Sequence, residues 1–510
     1  MLTSVDFSGR PFHFIGIGGI GMSALAYVIA QRKLPVSGSD IRSSHITERL
    51  QAIGAHIFAE QQASNLEFFS ANSNSGSNGS KTETLGETGN NGTAYKAVTI
   101  PETVLPQVVC STAIDSANTE YRAALDLGCP ILHRSDLLAA LIQDYYSIAV
   151  AGTHGKTTTS SMIGYLLLEA GLDPTIIVGG EVTAWQGNAR LGTSKYLVAE
   201  ADESDGSLVK FSSEIGIVTN IELDHPDHYE NLAEVIDTFQ VFARRCKTTI
   251  GCIDCTTVKE HLKPAISYSL KPETGADYTV DRVVYRAEGT TARVWERGQI
   301  LGQMNLKLLG EHNLSNALAV VALGRHLGLK FEVIASAIAT FSGARRRFEK
   351  RGEVNGIRFI DDYAHHPSEI SATLAAARIQ VNGLLEFPQK RVVAIFQPHR
   401  YSRTQTFLSE FGQCFSSADV VVVTDIYSAG EAKLDDISGE RVAQEIAKHH
   451  PQVVYQPSLQ TVRRFLTENL QPGDLAIFLG AGNLNQIIPE VVTFYEQTAQ
   501  GMPQEYRLRA

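Results

Sequence analysis

The sequence predicts an α/β protein of three tandem domains, and three observations carry that expectation. The chain has 510 residues, too many for one hydrophobic core when domains run to about 100–200 residues. Two apolar segments each pass into a glycine-rich turn and then a helical stretch. The last third alternates short apolar runs with helical ones, as expected for a mostly parallel sheet buried on both faces.

The first domain opens with the strand Phe12 to Ile17, the turn Gly16-Ile17-Gly18-Gly19-Ile20-Gly21 and a helix from Met22 to Gln31. Strand, glycine turn and helix in this order form a Rossmann-like phosphate site, because backbone amides at the helix start face an anion. Asp40 follows a second strand ending Ser37-Gly38-Ser39. Taken alone, Gly16, Gly18, Gly21 and Asp40 read as dinucleotide binding. Residues 71–93 are rich in Ser, Asn, Gly and Thr and are expected to form a flexible surface insertion. Patterning resumes with the strand Val108 to Ser111, and the domain is expected to span residues 1–146.

The second domain, expected over 147–344, begins with the strand Ser147 to Ala151. The loop Gly152-Thr153-His154-Gly155-Lys156-Thr157 and a helix to Ala170 follow. A lysine and a hydroxyl at a helix N-terminus suit a triphosphate and its magnesium. The spacing departs from GxxxxGK[ST], since Val150 stands five before Gly155, so this is a variant of the P-loop in a P-loop ATPase-type domain. Glu200, Asp202, Glu203 and Asp205 follow one later strand, and Asp224, His225, Asp227 and His228 the next. Each run is either a solvated loop or a set of hard-cation ligands gathered at strand C-termini. Gly310-Glu311-His312-Asn313-Leu314-Ser315-Asn316 opens a helix expected to reach Leu327; helix capping explains Asn313 but not His312 and Asn316 together.

The third domain, expected over 345–510, is also Rossmann-like, with strands at 358–361, 391–396, 420–424 and 474–479. Its entry, Arg345-Arg346-Arg347-Phe348, is either a basic linker or the source of an arginine for a γ-phosphate. Asp361-Asp362-Tyr363-Ala364-His365-His366-Pro367 and Gln397-Pro398-His399-Arg400-Tyr401-Ser402-Arg403-Thr404 each follow a strand. Arg400 and Arg403 have the geometry to clamp an amino-acid carboxylate, unless the pair is structural.

Composition narrows the class. Hydrophobic residues make up 43%, charged residues 19%, and no stretch approaches the roughly 20 apolar residues of a membrane span. The N-terminus has no basic segment leading into an apolar run, so a cytoplasmic protein is expected. A formal charge of −11 argues against a broad nucleic-acid surface. Six scattered cysteines form no disulfide framework, and the lone CxxC at Cys252 and Cys255 supplies half a zinc shell and reads as a strand end.

Eight motifs in order, GIGGIGMSALA, AGTHGKTTT, EADESDGS, TNIELDHPDHY, GEHNLSNALA, RRRFE, DDYAHHPSEI and FQPHRYSRT, resemble the Mur ligases of peptidoglycan synthesis from Phe12 to Asn483. HRYSRT and EADESD favour the member that adds L-alanine to UDP-N-acetylmuramate. The resemblance implies that ATP phosphorylates the muramoyl carboxylate and that the L-alanine amine attacks the acyl phosphate. No side-chain nucleophile is required, which agrees with the lack of a Ser/His/Asp or Cys/His set.

By the same resemblance, Gly16, Gly18, Gly19 and Gly21 bind the UDP diphosphate, with Asp40, Ser111 and Arg134 as further nucleotide-sugar contacts. Gly152, Thr153, His154, Gly155, Lys156, Thr157, Thr158, Asn313, Asn316, Arg347 and Asp362 receive ATP. Thr157, Glu200 and His225 hold Mg2+; Tyr363, His365, Arg400 and Arg403 receive L-alanine. Lys156, His225 and Arg347 are the residues expected to act in catalysis, in a monomer or homodimer without nucleic-acid or membrane partners. The competing expectations are another Mur-type ligase on a UDP-muramoyl substrate, a non-enzymatic nucleotide-dependent sensor, and an NAD(P)-dependent oxidoreductase, which leaves Lys156 unexplained.

Overall fold

The computed structural model describes residues 4–69, 105–383 and 390–501. The Ser/Asn/Gly-rich segment 71–93 lies outside the described residues. Two compact units emerge: 1–147 with 174–179 and 187–197, and 148–173 with 180–186 and 198–510.

The first unit is built on five parallel strands. Phe12–Ile15 is central, with Val36–Ser39 and His56–Phe58 on one side and Gln107–Cys110 and Ile131–His133 on the other. Phe12, Phe14 and Ile15 are fully buried, as a strand covered on both faces requires. Strand order reverses between Phe12–Ile15 and Gln107–Cys110. Their adjacent C-terminal ends therefore open the crevice where ligands of such sheets bind. Beneath the sheet, the buried Glu120 carboxylate is met by His13 Nε2 at 2.8 Å, Asn65 Nδ2 at 2.7 Å and the Ser39 hydroxyl. A buried charge is tolerable only with such partners.

The second unit contains two sheets. In the first, Tyr146–Ala151 lies between Tyr196–Glu200 and Ile215–Val218, and Thr248–Cys252 and Ile266–Ser269 continue outward. An antiparallel meander, Tyr278–Arg286, Gly289–Glu296 and Gln299–Leu306, then completes that side. The expectation of strand and helix alternation does not cover this meander. Its middle strand alternates buried and half-buried positions, as antiparallel strands with one solvated face do, and Arg297-Gly298, with φ of 48° and 80°, makes the two-residue turn that joins the last two.

The other sheet has the order Glu349–Val354, Ile357–Asp362, Asp474–Leu479, Arg391–Phe396, Val420–Val423, Val453–Tyr455. All pairs are parallel except the edge pair Glu349–Val354 with Ile357–Asp362. Asp474–Leu479, last in the chain, lies between Ile357–Asp362 and Arg391–Phe396. The loops after all three strands therefore share one edge. Cys252 ends a strand as expected, and Cys255 precedes the helix Thr256–His261. Among the described residues no helix is long and apolar enough to cross a membrane.

Candidate functional site

Three neighbouring strands of the central sheet deliver the phosphate loop and its acidic surroundings to one place. The helix Lys156–Glu169 starts after Gly155, which has φ 83° and no side-chain cap. Its first amides are thus left for an external acceptor. Asn220 and Thr219, just past Ile215–Val218, hold the loop in shape. The amide of His154 donates to Asn220 Oδ1 at 2.8 Å, Thr219 Oγ1 donates to the His154 carbonyl at 2.6 Å, and the Glu222 amide donates to Thr153 Oγ1 at 2.9 Å. Gly152, at φ 138°, has no room for a side chain because Thr219 Oγ1 stands where a Cβ would be.

Lys156 does not extend freely into the loop. Its ammonium donates to both Glu203 oxygens at 2.8 and 2.9 Å and to the Gly152 carbonyl at 2.7 Å. Burial disfavours its charge, but Glu203, followed by Asp202, outweighs that and holds its pKa above the ordinary lysine value. Thr157 Oγ1 donates to Glu200 at 3.1 Å and lies 3.5 Å from the Arg347 guanidinium. Asp202, Glu203 and His225 bring ligand atoms within 4.8 Å of one another. Burial, only partly opposed by Asp224, lowers the His225 pKa, so its imidazole is neutral and can ligate. The oxygen donors of this group suit a hard divalent ion. Thr157 and Glu200 form one candidate position and His225 with Asp202 and Glu203 another.

Of the three consecutive arginines, each has a different partner. Arg345 pairs with Glu181 at 3.1 Å, Arg346 donates to the Gly480 carbonyl at 2.7 Å, and Arg347 is the one directed at Thr157. Arg346 and Arg347 both lie over the Tyr363 ring, at 4.9 and 5.2 Å from its centroid, a stabilising cation–π arrangement. The Asp362 carboxylate accepts from the amides of Phe348 at 2.7 Å and Ala364 at 2.8 Å. Burial pushes its pKa up to about 6. Both its oxygens are engaged in joining the arginine loop to the strand end, so the structure gives Asp362 a shaping role there. Asn313 and Asn316 are buried; Asn316 donates to Asn313 at 3.3 Å, which in turn donates to the Leu309 carbonyl at 2.8 Å. Asn316 Oδ1 lies against Gly155, 2.6 Å from where a Cβ would sit.

The paired arginines meet protein carboxylates. Arg403, 2% exposed, donates through Nε to Asp224 Oδ1 at 2.8 Å, and Arg400 to Asp227 at 2.9 Å and Glu431 at 3.3 Å. His225, His399 and His365 gather round Arg403. Burial, reinforced by nearby positive charge, depresses His365 to about 4 and His399 to about 2. One guanidinium amid neutral imidazoles is therefore the positive centre of this pocket.

In the first unit, the Gly16 turn and Ser111 follow the two strands that flank the reversal. Asp40 Oδ2 accepts from the Gly18 amide at 2.8 Å and Oδ1 from the Arg42 amide at 3.0 Å. Asp40 thus shapes the glycine turn. A side chain on Gly21 would begin 3.6 Å from the Arg134 guanidinium, which puts Arg134 beside the turn.

Several residues without a role in the sequence reading prove central. Glu369 meets His154 at 3.3 Å, His365 at 3.3 Å and Arg347 at 3.9 Å, and His154 also meets Glu222 at 3.4 Å. Burial opposes charge on His154, but Glu222 and Glu369 together raise its pKa to about 10. Glu222 falls to about 2, through its pairing with His154. The one signal Glu369 carries in the sequence is that of a helix start, three residues after His366 with Pro367 between, the spacing of the capping box it forms.

Comparison with known proteins matches three segments of the chain. Residues 11–146 match the Mur ligase family catalytic domain, 150–324 the Mur ligase middle domain, and 346–482 the Mur ligase glutamate ligase domain. UDP-N-acetylmuramate--L-alanine ligase of Nostoc punctiforme is 68% identical over 500 residues, covering 98% of this chain and 99% of its own. The enzyme of the same name from Microcystis aeruginosa is 63% identical, covering 97% and 98%. Among solved structures, UDP-N-acetylmuramate-alanine ligase MurC from Thermotoga maritima aligns with a TM-score of 0.76 at 26% identity, over 96% of this chain and 99% of its own.

Proposed function

The chain belongs to the Mur ligase family, and we propose from that premise that it joins L-alanine to UDP-N-acetylmuramate with ATP, giving ADP and phosphate. The near full-length identity of 68% to UDP-N-acetylmuramate--L-alanine ligases carries this reading. We assign UDP-sugar binding to 1–146, ATP binding to 147–344 and amino-acid binding to 345–510, in a cytoplasmic monomer or homodimer of peptidoglycan synthesis.

The reaction needs positioning and charge stabilisation at two stages, acyl-phosphate formation and amine attack. The amides of 152–158 cradle the ATP phosphates, beside Asn313 and Asn316. Lys156 gives its charge to them as it exchanges one Glu203 contact for a phosphate oxygen, and Arg347 reaches the γ-phosphate past Thr157. Mg2+, held by Thr157 with Glu200 and by His225 with its acidic neighbours, would neutralise the charge that develops on the transferring group. Asp362 acts by fixing the Arg345–Phe348 loop. The glycine turn from Gly16 to Gly21, shaped by Asp40, takes the UDP diphosphate with Ser111 and Arg134 alongside. Tyr363, His365, Arg400 and Arg403 surround the incoming amino acid, whose carboxylate replaces part of the acidic company of the arginines.

Phosphate release from ATP, measured with UDP-N-acetylmuramate and a panel of amino acids, tests the reading. Release should require both the sugar nucleotide and L-alanine. Release driven by a peptide or a later-added amino acid but not by L-alanine would move the chain to another branch of the family. The near full-length identity to UDP-N-acetylmuramate--L-alanine ligases counts against the oxidoreductase alternative.

A further inference from the structure

A second cluster lies apart from the acidic ligands of Asp202, Glu203 and His225. One ring nitrogen each from His154 and His366 and a carboxylate oxygen of Glu222 lie within 4.8 Å of one another. The three come from the phosphate loop, the segment after Ile215–Val218, and the start of the helix Pro367–Asn382. They are drawn from two different sheets of the second unit.

The donors differ in kind from those of the magnesium positions. Magnesium prefers oxygen ligands and keeps its waters, whereas two imidazoles and one carboxylate with an open fourth position suit zinc. The spacing agrees: His154 Nε2 and Glu222 Oε2 are 3.4 Å apart, and a tetrahedral ion with bonds of roughly 2.0–2.1 Å separates its donors by about 3.3 Å.

One nitrogen of the cluster also lacks any partner. His366 is 4% exposed, and its Nδ1 accepts from the Ser368 amide at 3.3 Å as the helix cap. The two His154 nitrogens face Glu222 at 3.4 Å and Glu369 at 3.3 Å, whereas His366 Nε2 is buried and has no hydrogen-bond partner among the described residues. Buried polar atoms left this way are uncommon and call for a ligand. The two rings are 4.7 Å apart, tilted by 40°, so they share one small volume without stacking.

We propose that His154, Glu222 and His366 bind a borderline divalent cation of the zinc type, which ties the phosphate loop to the third domain. The ion replaces the imidazolium proton of His154, which leaves to solvent, and Glu369 keeps its pairing with His365 and Arg347.

Cobalt(II) chloride added to the full chain without nucleotide tests the site, because tetrahedral cobalt with nitrogen ligands has strong visible absorption that octahedral cobalt lacks. The expected result is one equivalent of visible-absorbing cobalt, displaced by zinc and lost in His366→Asn and in Glu222→Gln. Asn keeps the cap through its side-chain oxygen while removing Nε2, and Glu222 is 42% exposed at its side chain, so both variants retain the fold, as circular dichroism verifies. Absorption that survives both variants, or that disappears only in His225→Ala, overturns the proposal. So does the absence of any tetrahedral spectrum in the unsubstituted chain.

Discussion

Lys156 and Glu203 show how one residue's chemistry depends on another's burial. Glu203 is 2% exposed at its side chain and meets the ammonium in a two-oxygen contact. Removing one partner of a buried pair costs about 3–5 kcal/mol, because the remaining charge is stranded. Lys156→Ala should therefore lower turnover at least about a hundredfold, as loss of a preorganised charge does, and also lower the melting temperature. Adding Glu203→Gln should restore much of the melting temperature but not the phosphate release. A double variant that regains turnover would contradict the role given to the lysine.

His154 offers a pH readout at the same scale. Glu222 is held at about 2, so its contribution to stability is complete above its ordinary 4.5 and vanishes as pH falls toward 2. His154 is held at about 10, so its contribution is complete below its ordinary 6.5 and vanishes as pH rises toward 10. The melting-temperature difference between the unsubstituted chain and Glu222→Gln should be greatest between pH 4.5 and 6.5 and shrink on either side. Thermal denaturation across pH 3–10 checks it; a flat difference would show that the pair contributes nothing.

At the scale of elements, the phosphate loop depends on backbone shapes that only glycine accepts. Gly155 has φ 83°, and a Cβ there would meet Asn316 Oδ1 at 2.6 Å. The left-handed backbone costs a residue with a side chain roughly 1–2 kcal/mol, and Asn316 must move as well. Gly155→Ala should weaken ATP binding about tenfold or more, as measured by calorimetry, with the helix Lys156–Glu169 intact by circular dichroism.

This loop was legible in the sequence because glycine, lysine and a hydroxyl in that spacing have few other uses. The strands were legible too: Tyr196–Glu200 appears with the expected bounds, and Phe12 to Ile17 is shortened only where Gly16 turns. The antiparallel meander was not, since its alternation is weak and its turn at Arg297-Gly298 lacks the usual Asn or Asp. Nor was Glu369: a glutamate at the third position of a helix is explained by capping alone, and its meeting with His154, some 200 positions earlier, depends on how two sheets pack. The sequence leaves open whether Arg400 and Arg403 clamp a carboxylate or are structural, because Asp224 and Asp227, in another sheet, cannot be seen from their own motif.

At the scale of the whole molecule, the second unit unites a central and a terminal sheet through polar and charged contacts between their loops. Arg403 with Asp224, Arg400 with Asp227, His154 with Glu369 and Ser368 with Glu222 each cross from one sheet's loops to the other's. A formal charge of −11 makes these local cations the more important for anionic substrates. Arg403 is the most buried of them; its contribution to stability and the amino-acid binding proposed for it are separated by two substitutions. Arg403→Ala removes the guanidinium and strands Asp224; Asp224→Asn leaves the guanidinium in place with a neutral hydrogen-bond partner. Both should lower the melting temperature. Only Arg403→Ala should abolish L-alanine-dependent phosphate release at every attainable L-alanine concentration, while Asp224→Asn should retain saturable release. ATP binding by calorimetry should persist in both. Equal loss of release in the two variants would mean that Arg403 holds the sheets together and does not meet the amino acid.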